Sequence, residues 1–227
     1  VGRATKVVDL LTDKDKEYVT TMLLGVETDT QDMTGRVLSS REAALSEDQV
    51  EKAIRSYVGE ISQIPPMYSA LKVNGQKLCD LARKGVEVER KPRKVTIYGI
   101  EILSMELPRV TMRVQCSRGT YIRTLCHDIG QTLNCGGTME SLTRTRVADF
   151  GLEDAHTIDE VQAVEQEGEL DRILLPVDRL FLSVPAFSVT AEGAKLLSNG
   201  NPLKTEYLLL RDKEEKMTAV LRREGTT

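Results

Sequence analysis

The chain has 227 residues, 31 Lys and Arg against 35 Asp and Glu, a formal charge of −4, 40% hydrophobic residues and no tryptophan. That is a globular composition with room for one large domain and a small appendage, and its net acidity argues against a generic polyanion binder. No apolar run approaches the roughly 18–20 residues of a membrane span and the start carries no signal-peptide pattern. Cys79, Cys116, Cys126 and Cys135 form no CxxC pair, so reduced thiols and a cytoplasmic location are expected, with no zinc site at Cys126, His127 and Cys135.

In chain order, "VVDLL" reads as the end of a helix. In "DKEYVTTMLLG", Tyr18, Thr20 and Met22 alternate with Val19, Thr21 and Leu23, the period of a strand. "TDTQDMTG" is turn-like. Asp29 and Asp32 there are expected to cap their own turn rather than to hold Mg²⁺. "GRVLSS" resumes a short strand. Residues 46–62 read as one helix: Ser46 and Gln49 have capping-box spacing, and Val50, Ala53, Ile54, Tyr57, Val58 and Ile61 form an apolar stripe. "QIPPMYS" is its expected stop. A short helix around Leu78, Leu81 and Ala82 runs to Gly85.

"RKVTIYGIEIL" and "RVTMRVQCS" are strands, the second with Val110, Met112, Val114 and Cys116 on one face and Thr111, Arg113 and Gln115 on the other. After Gly119 the period becomes helical, through Ile122, Leu125, Ile129 and Leu133 to "NCGG". Another helix is expected from Thr157 to about Gly168, with Thr157 and Glu160 at capping-box spacing. "TAEGAKLLSNGNPL" begins a separate small module. Strands and helices interleave without a βαβ rhythm. The fold class is therefore α+β, with a mixed, mostly antiparallel central sheet flanked by helices.

No P-loop or dinucleotide glycine pattern is present, and His127 and His156 sit beside no nucleophile motif. Charge is segregated: residues 68–123 hold 12 basic and 5 acidic side chains, whereas residues 1–67 hold 8 and 12. From charge alone the basic block is either a phosphate-contacting face or a solvated one. Tyr121 and Arg123, two residues apart, stand where a strand turns into a helix. Packed neighbours fix both, as a preorganised site requires.

Three stretches, "DKEYVTTMLLG", "PPMYSALKVNGQKL" and "GTYIRTL", together with "GRATKVVDLL" and "LGVETDTQDMTG", resemble the bacterial TruB family of pseudouridine synthases. The resemblance runs in order from Gly2 to about Phe150 and includes "IPPMYSALKVNGQKLCDLARKGVEV". It implies a pseudouridine synthase core over residues 1–182, an RNA-binding insertion at about 40–92, and an incomplete RNA-binding-like module at 184–227. It also implies isomerisation of a uridine in the T-loop of tRNA, flipped out of its stack, with no cofactor, no metal and no obligate protein partner.

Residue by residue, Tyr18 matches the family tyrosine that stacks on the base and is placed for proton transfer. Tyr121 and Leu142 match pocket walls, and Arg123 matches the arginine paired with the catalytic carboxylate. Asp32, Lys72 and Arg144 match further polar positions near the site or the RNA. The family's aspartate motif, "G-x-L-D-P-x-A-T-G", does not occur in these residues. The resemblance thus predicts an inactive fragment with exposed sheet edge and apolar surface. Two rivals are a non-catalytic tRNA-binding or RNA-chaperone module, and a metal-dependent phosphotransfer enzyme built on Asp29 and Asp32, which is disfavoured.

Overall fold

Alternating apolar residues bring five long or medium strands and one two-residue strand into a single sheet. A computed structural model of the chain describes residues 5–6, 8–181 and 187–209; the expectations for 184–186 and 210–227 lie outside these. Its elements begin with α1 (Val8–Thr12), β1 (Lys16–Leu24), β2 (Val26–Thr28), β3 (Val37–Ser40), α2 (Glu47–Arg55) and β4 (Gly59–Gln63). Then come β5 (Lys72–Val73), β6 (Gln76–Lys77), α3 (Leu78–Arg83), β7 (Arg93–Glu106), β8 (Arg109–Cys116), α4 (Ile122–Thr132), β9 (Gly137–Val147) and β10 (Phe150–Gly151). The main sheet has the order β10-β9-β1-β8-β7-β4, and every pairing in it is antiparallel.

β1 lies between β8 and β9, so its side chains have neighbours on both flanks. Thr20, Met22 and Leu24 of β1 and Val110, Met112, Val114 and Cys116 of β8 are buried on one face. Ile122, Leu125, Cys126 and Ile129 of α4 and Val50, Ala53 and Ile54 of α2 complete that core. Each fully buried aliphatic side chain contributes about 1.5–3 kcal/mol, far more than the exposed ion pairs around it. α4 approaches β9 closely because both carry glycine at the crossing. A Cβ on Gly130 would stand 2.2 Å from the Gly137 nitrogen.

The helix expected over 46–62 is shorter. Ser46 caps α2 as predicted: its Oγ accepts from the Gln49 amide at 3.3 Å and the Gln49 Oε1 accepts from the Ser46 amide at 3.0 Å. The helix ends at Arg55, however, and Gly59, at φ +114°, takes a left-handed turn that no helix contains. The chain then becomes β4, in which Ile61 pairs opposite Val95 of β7. Tyr57, Val58 and Ile61 therefore lie beyond the helical stripe, and the prolines follow a strand. The helix to Gly85 and the strand-to-helix change after Gly119 match the sequence reading.

The contacts divide the chain into two units, residues 1–156 and 157–227. In the second, α5 (Ile158–Gln166) carries the predicted Thr157–Glu160 capping box. A two-stranded sheet, β11 (Ser188–Val189) with β12 (Leu208–Leu209), accompanies α6 (Ala191–Ser198).

Candidate active site

The front face of the sheet and the start of α4 together make a pocket of 360 Å³, lined by Tyr18, Asp32, Thr120, Tyr121, Ile122, Arg123, Met139 and Leu142. β1 presents Tyr18 between Val114 of β8 and Arg144 of β9, and Leu142 stands opposite Thr20 on the same face. Burial pushes the Tyr18 phenol up; Cys116 adds to this and the Arg144 charge opposes it. The phenol is therefore neutral and able to donate or accept at physiological pH.

Tyr121 is the N-cap of α4, with extended backbone and no side-chain cap of its own. Gly119, at φ +79°, supplies the sharp turn that precedes it. The buried Gln63 side chain, at the end of β4, holds Tyr121 by both backbone groups. The Tyr121 amide donates to Gln63 Oε1 at 3.1 Å, and Gln63 Nε2 donates to the Tyr121 carbonyl at 3.3 Å.

Arg123 occupies the first turn of α4 and spans the pocket floor. Its Nη1 donates to Asp32 Oδ2 at 2.8 Å and its Nη2 to the Tyr68 carbonyl at 2.8 Å. Asp32 is fully engaged: its Oδ1 accepts from the Thr34 amide at 3.0 Å, from the Thr30 hydroxyl at 3.0 Å and from the Thr34 hydroxyl. Burial alone would raise its carboxyl, but the hydrogen bonds of Thr34 and Thr30 and the charge of Arg123 together hold it below the usual carboxylate range. Asp29 likewise accepts from the Arg36 amide at 2.8 Å, so both aspartates cap their own turn. Among the described residues no cluster of three metal-ligating side chains occurs.

Tyr18, Tyr121, Leu142, Asp32 and Arg123 thus meet in one pocket. Of the other two predicted site residues, Arg144 stands opposite Tyr18 in the sheet and acts on its phenol by charge and a side-chain hydrogen bond, while also lining a neighbouring cleft of 940 Å³ with Lys16, Arg146 and Tyr121. Lys72 lines a groove of 260 Å³ with Arg90, Lys91 and Arg93. The sequence reading missed Gln63, Thr30, Thr34 and Met139. Only Gln63 left a signal, as a polar residue closing an apolar segment directly before two prolines.

An α+β core with this antiparallel sheet is that of the pseudouridine synthases. The same fold recurs in the crystal structure of a Cbf5-Nop10-Gar1 complex, with a TM-score of 0.64 and 27% identity over 88% of this chain and 53% of that one. It recurs also in an H/ACA RNP bound to a substrate RNA containing 2′-deoxyuridine, at a TM-score of 0.63 and 24% identity. This chain spans about half the length of those solved chains. Residues 1–122 match the N-terminal domain of the TruB family pseudouridylate synthases and residues 123–182 the tRNA pseudouridylate synthase B C-terminal domain.

The chain belongs to the TruB family, isomerases that form pseudouridine in tRNA. It is 46% identical to the tRNA pseudouridine synthase B of Alkaliphilus oremlandii over 92% of this chain and 69% of that protein. It is 51% identical to that of Lachnoclostridium phytofermentans over 89% and 69%. Among the described residues no helix is long and apolar enough to cross a membrane.

Proposed function

We propose that this chain recognises the T-arm of tRNA and receives the target uridine, turned out of its loop, between Tyr18 and Tyr121. The observation that carries the reading is the pocket itself: two aromatic rings, the apolar walls of Met139 and Leu142, and a fixed cation in Arg123. An extruded base needs a stacking surface and a shaped, partly polar enclosure. Tyr18 stacks on the base, and its neutral hydroxyl is the proton donor or acceptor nearest the ring. The basic residues of 68–123, Lys72 and Lys77 on the β5–β6 hairpin among them, contact T-arm phosphates. The insertion at about 40–92 and the module at 184–227 extend that grip. The reaction takes place in the cytoplasm, with no cofactor and no obligate protein partner.

Among the described residues that line the pocket the one carboxylate is Asp32, and both of its oxygens already accept hydrogen bonds. A carboxylate so committed is a poor nucleophile, so Asp32 serves as the holder of Arg123. The 227 residues by themselves then bind without turnover, which is where the non-catalytic tRNA-binding reading and the enzyme reading meet.

A titration against a T-arm hairpin and the same stem with an unrelated loop, at two salt concentrations, tests the recognition half. The T-loop is expected to bind more tightly, and Tyr18→Ala and Arg123→Ala to erase the preference. Equal, purely salt-dependent binding to both hairpins would leave only a basic surface. Release of the uridine H5 by the 227-residue chain alone would overturn the proposal that it does not turn over.

A further inference from the structure

We infer that Gln63 is the positioning residue for Tyr121, and that through it the insertion and the base pocket move as one piece. The inference rests on the base-pocket reading above. Gln63 is 1% exposed, and both hydrogen bonds of its side chain go to one residue 58 positions away. Its orientation is fixed by the partners, since an amide N–H can face only Oε1 and a carbonyl only Nε2. The result copies one rung of an antiparallel ladder: a side-chain amide stands where a second strand would.

The Tyr121 carbonyl also accepts the first helical hydrogen bond, from the Leu125 amide at 3.0 Å, but among the described residues its amide is bonded to Gln63 alone. Tyr121 is an N-cap without a side-chain cap, entered from Gly119 and Thr120. Its ring is the wall between the 360 Å³ pocket and the 940 Å³ cleft. A rotation of its backbone would swing that ring into one space or the other. The Gln63 clamp suppresses this rotation, because breaking it leaves the Tyr121 amide and the buried Gln63 side-chain amide unpaired.

The same corner is tied to the same segment once more, where Arg123 donates to the Tyr68 carbonyl at 2.8 Å. Arg90 Nη1 holds the segment from its other side, donating to the Pro65 carbonyl at 3.3 Å. Residues 63–68 lead from β4 into the hairpin that carries Lys72 and Lys77. A load placed on that hairpin therefore reaches Tyr121 and Arg123 through residues whose backbones are already bonded to them. Gln63 is the most buried of these links.

The test uses the full chain and a T-arm hairpin carrying either uridine or an abasic site at the target position. The ratio of the two dissociation constants reads base capture, while the abasic hairpin alone reads grip on the stem. Gln63→Met, of similar length but without hydrogen bonds, is expected to lower the ratio roughly five- to tenfold and to leave abasic binding unchanged. Exchange of the Tyr121 amide proton is expected to accelerate at least tenfold in the same variant.

Gln63→Glu supplies the second arm. A protonated carboxyl can present one donor and one acceptor to the Tyr121 backbone, as the amide does, whereas the ionised form sets an oxygen against the Tyr121 carbonyl. Discrimination in this variant is expected to be lost at pH 7.5 and to return toward the wild-type ratio as the pH falls, which a general packing defect would not reproduce. Wild-type discrimination by Gln63→Met, or a loss in Gln63→Glu that acid does not restore, would overturn the inference. If Tyr18→Ala abolishes the ratio and Gln63→Met does not, the base pocket stands and only the clamp fails. If the wild type shows no ratio at all, both readings fall together.

Discussion

Arg123 and Asp32, 91 residues apart in sequence, form a 2.8 Å ion pair whose side chains are only 24% and 13% exposed. Such a pair is worth more than a surface bridge, because losing one partner strands the other charge in a poorly solvated place. The Asp32 carboxyl lies below its usual range in the folded protein. Its contribution is therefore complete above the unfolded carboxylate value, about 3.9, and is lost as the pH falls through the folded value. Asp32→Asn is expected to cost about 1–3 kcal/mol at pH 7 and to converge on the wild type in acid. Urea unfolding of both proteins from pH 7 to 2.5 checks this; a gap that stays constant with pH would mean the charge contributes nothing.

Gly130→Ala should be the most damaging single methyl in the first unit. The added carbon would stand 2.2 Å from the Gly137 nitrogen and 2.3 Å from the Gly136 carbonyl carbon. Both are backbone atoms that cannot step aside without moving β9 from α4. A loss of about 3 kcal/mol is expected, read as a fall in the denaturant midpoint. Gly85→Ala, where no atom lies within 4 Å of the new carbon, serves as a comparison limited to its left-handed backbone.

Thiol chemistry offers a test of the core. Burial pushes Cys126 up to about 12 and Cys116 up to about 11, and it also raises Cys135. Cys79 alone is not buried among the four cysteines. A disulfide-exchange reagent at pH 8 is expected to titrate one thiol quickly and the other three only as fast as the protein opens. Two or more fast thiols would contradict the packing of α4 on the sheet.

Ser46→Ala removes one half of the capping box on α2 and leaves the Gln49 amide without its acceptor. A loss of about 1 kcal/mol is expected. The cost should appear in stability and leave the ratio of uridine to abasic binding untouched, since α2 contributes no residue to the pocket.

Much of this architecture was legible because period and burial agree. The face holding Val110, Met112, Val114 and Cys116 was read from alternation alone, and all four are fully buried. α4 was legible from Ile122, Leu125 and Ile129, and the self-capping of Asp29 and Asp32 from turn chemistry. The segment 56–63 was not legible. The five residues of β4, of mixed polarity, suit a helix end or a strand equally, and pairing with β7 decided it after Gly59 had turned the chain. The place of β1 at the centre of the sheet, and the meeting of Gln63 with Tyr121, depend on partners scores of residues away. No local pattern encodes those. The pocket residues named through family resemblance split along the same line: Tyr18, Tyr121, Leu142, Asp32 and Arg123 converge, Arg144 reaches Tyr18 from the neighbouring cleft, and Lys72 lines another surface.

The loop between β2 and β3 is stitched to itself before anything binds. The Thr28 hydroxyl donates to the Asp32 carbonyl at 2.7 Å, Asp29 holds the Arg36 amide, and Gln31, in a left-handed conformation, accepts at its carbonyl from the Met139 amide at 3.0 Å. Little conformational freedom is left for a ligand to remove. The entropy of shaping this side of the pocket is charged to folding rather than to association. Encounter with RNA should therefore resemble the fitting of a rigid die more than the closing of a hand, with slow steps arising in the nucleic acid, where a base must leave its stack.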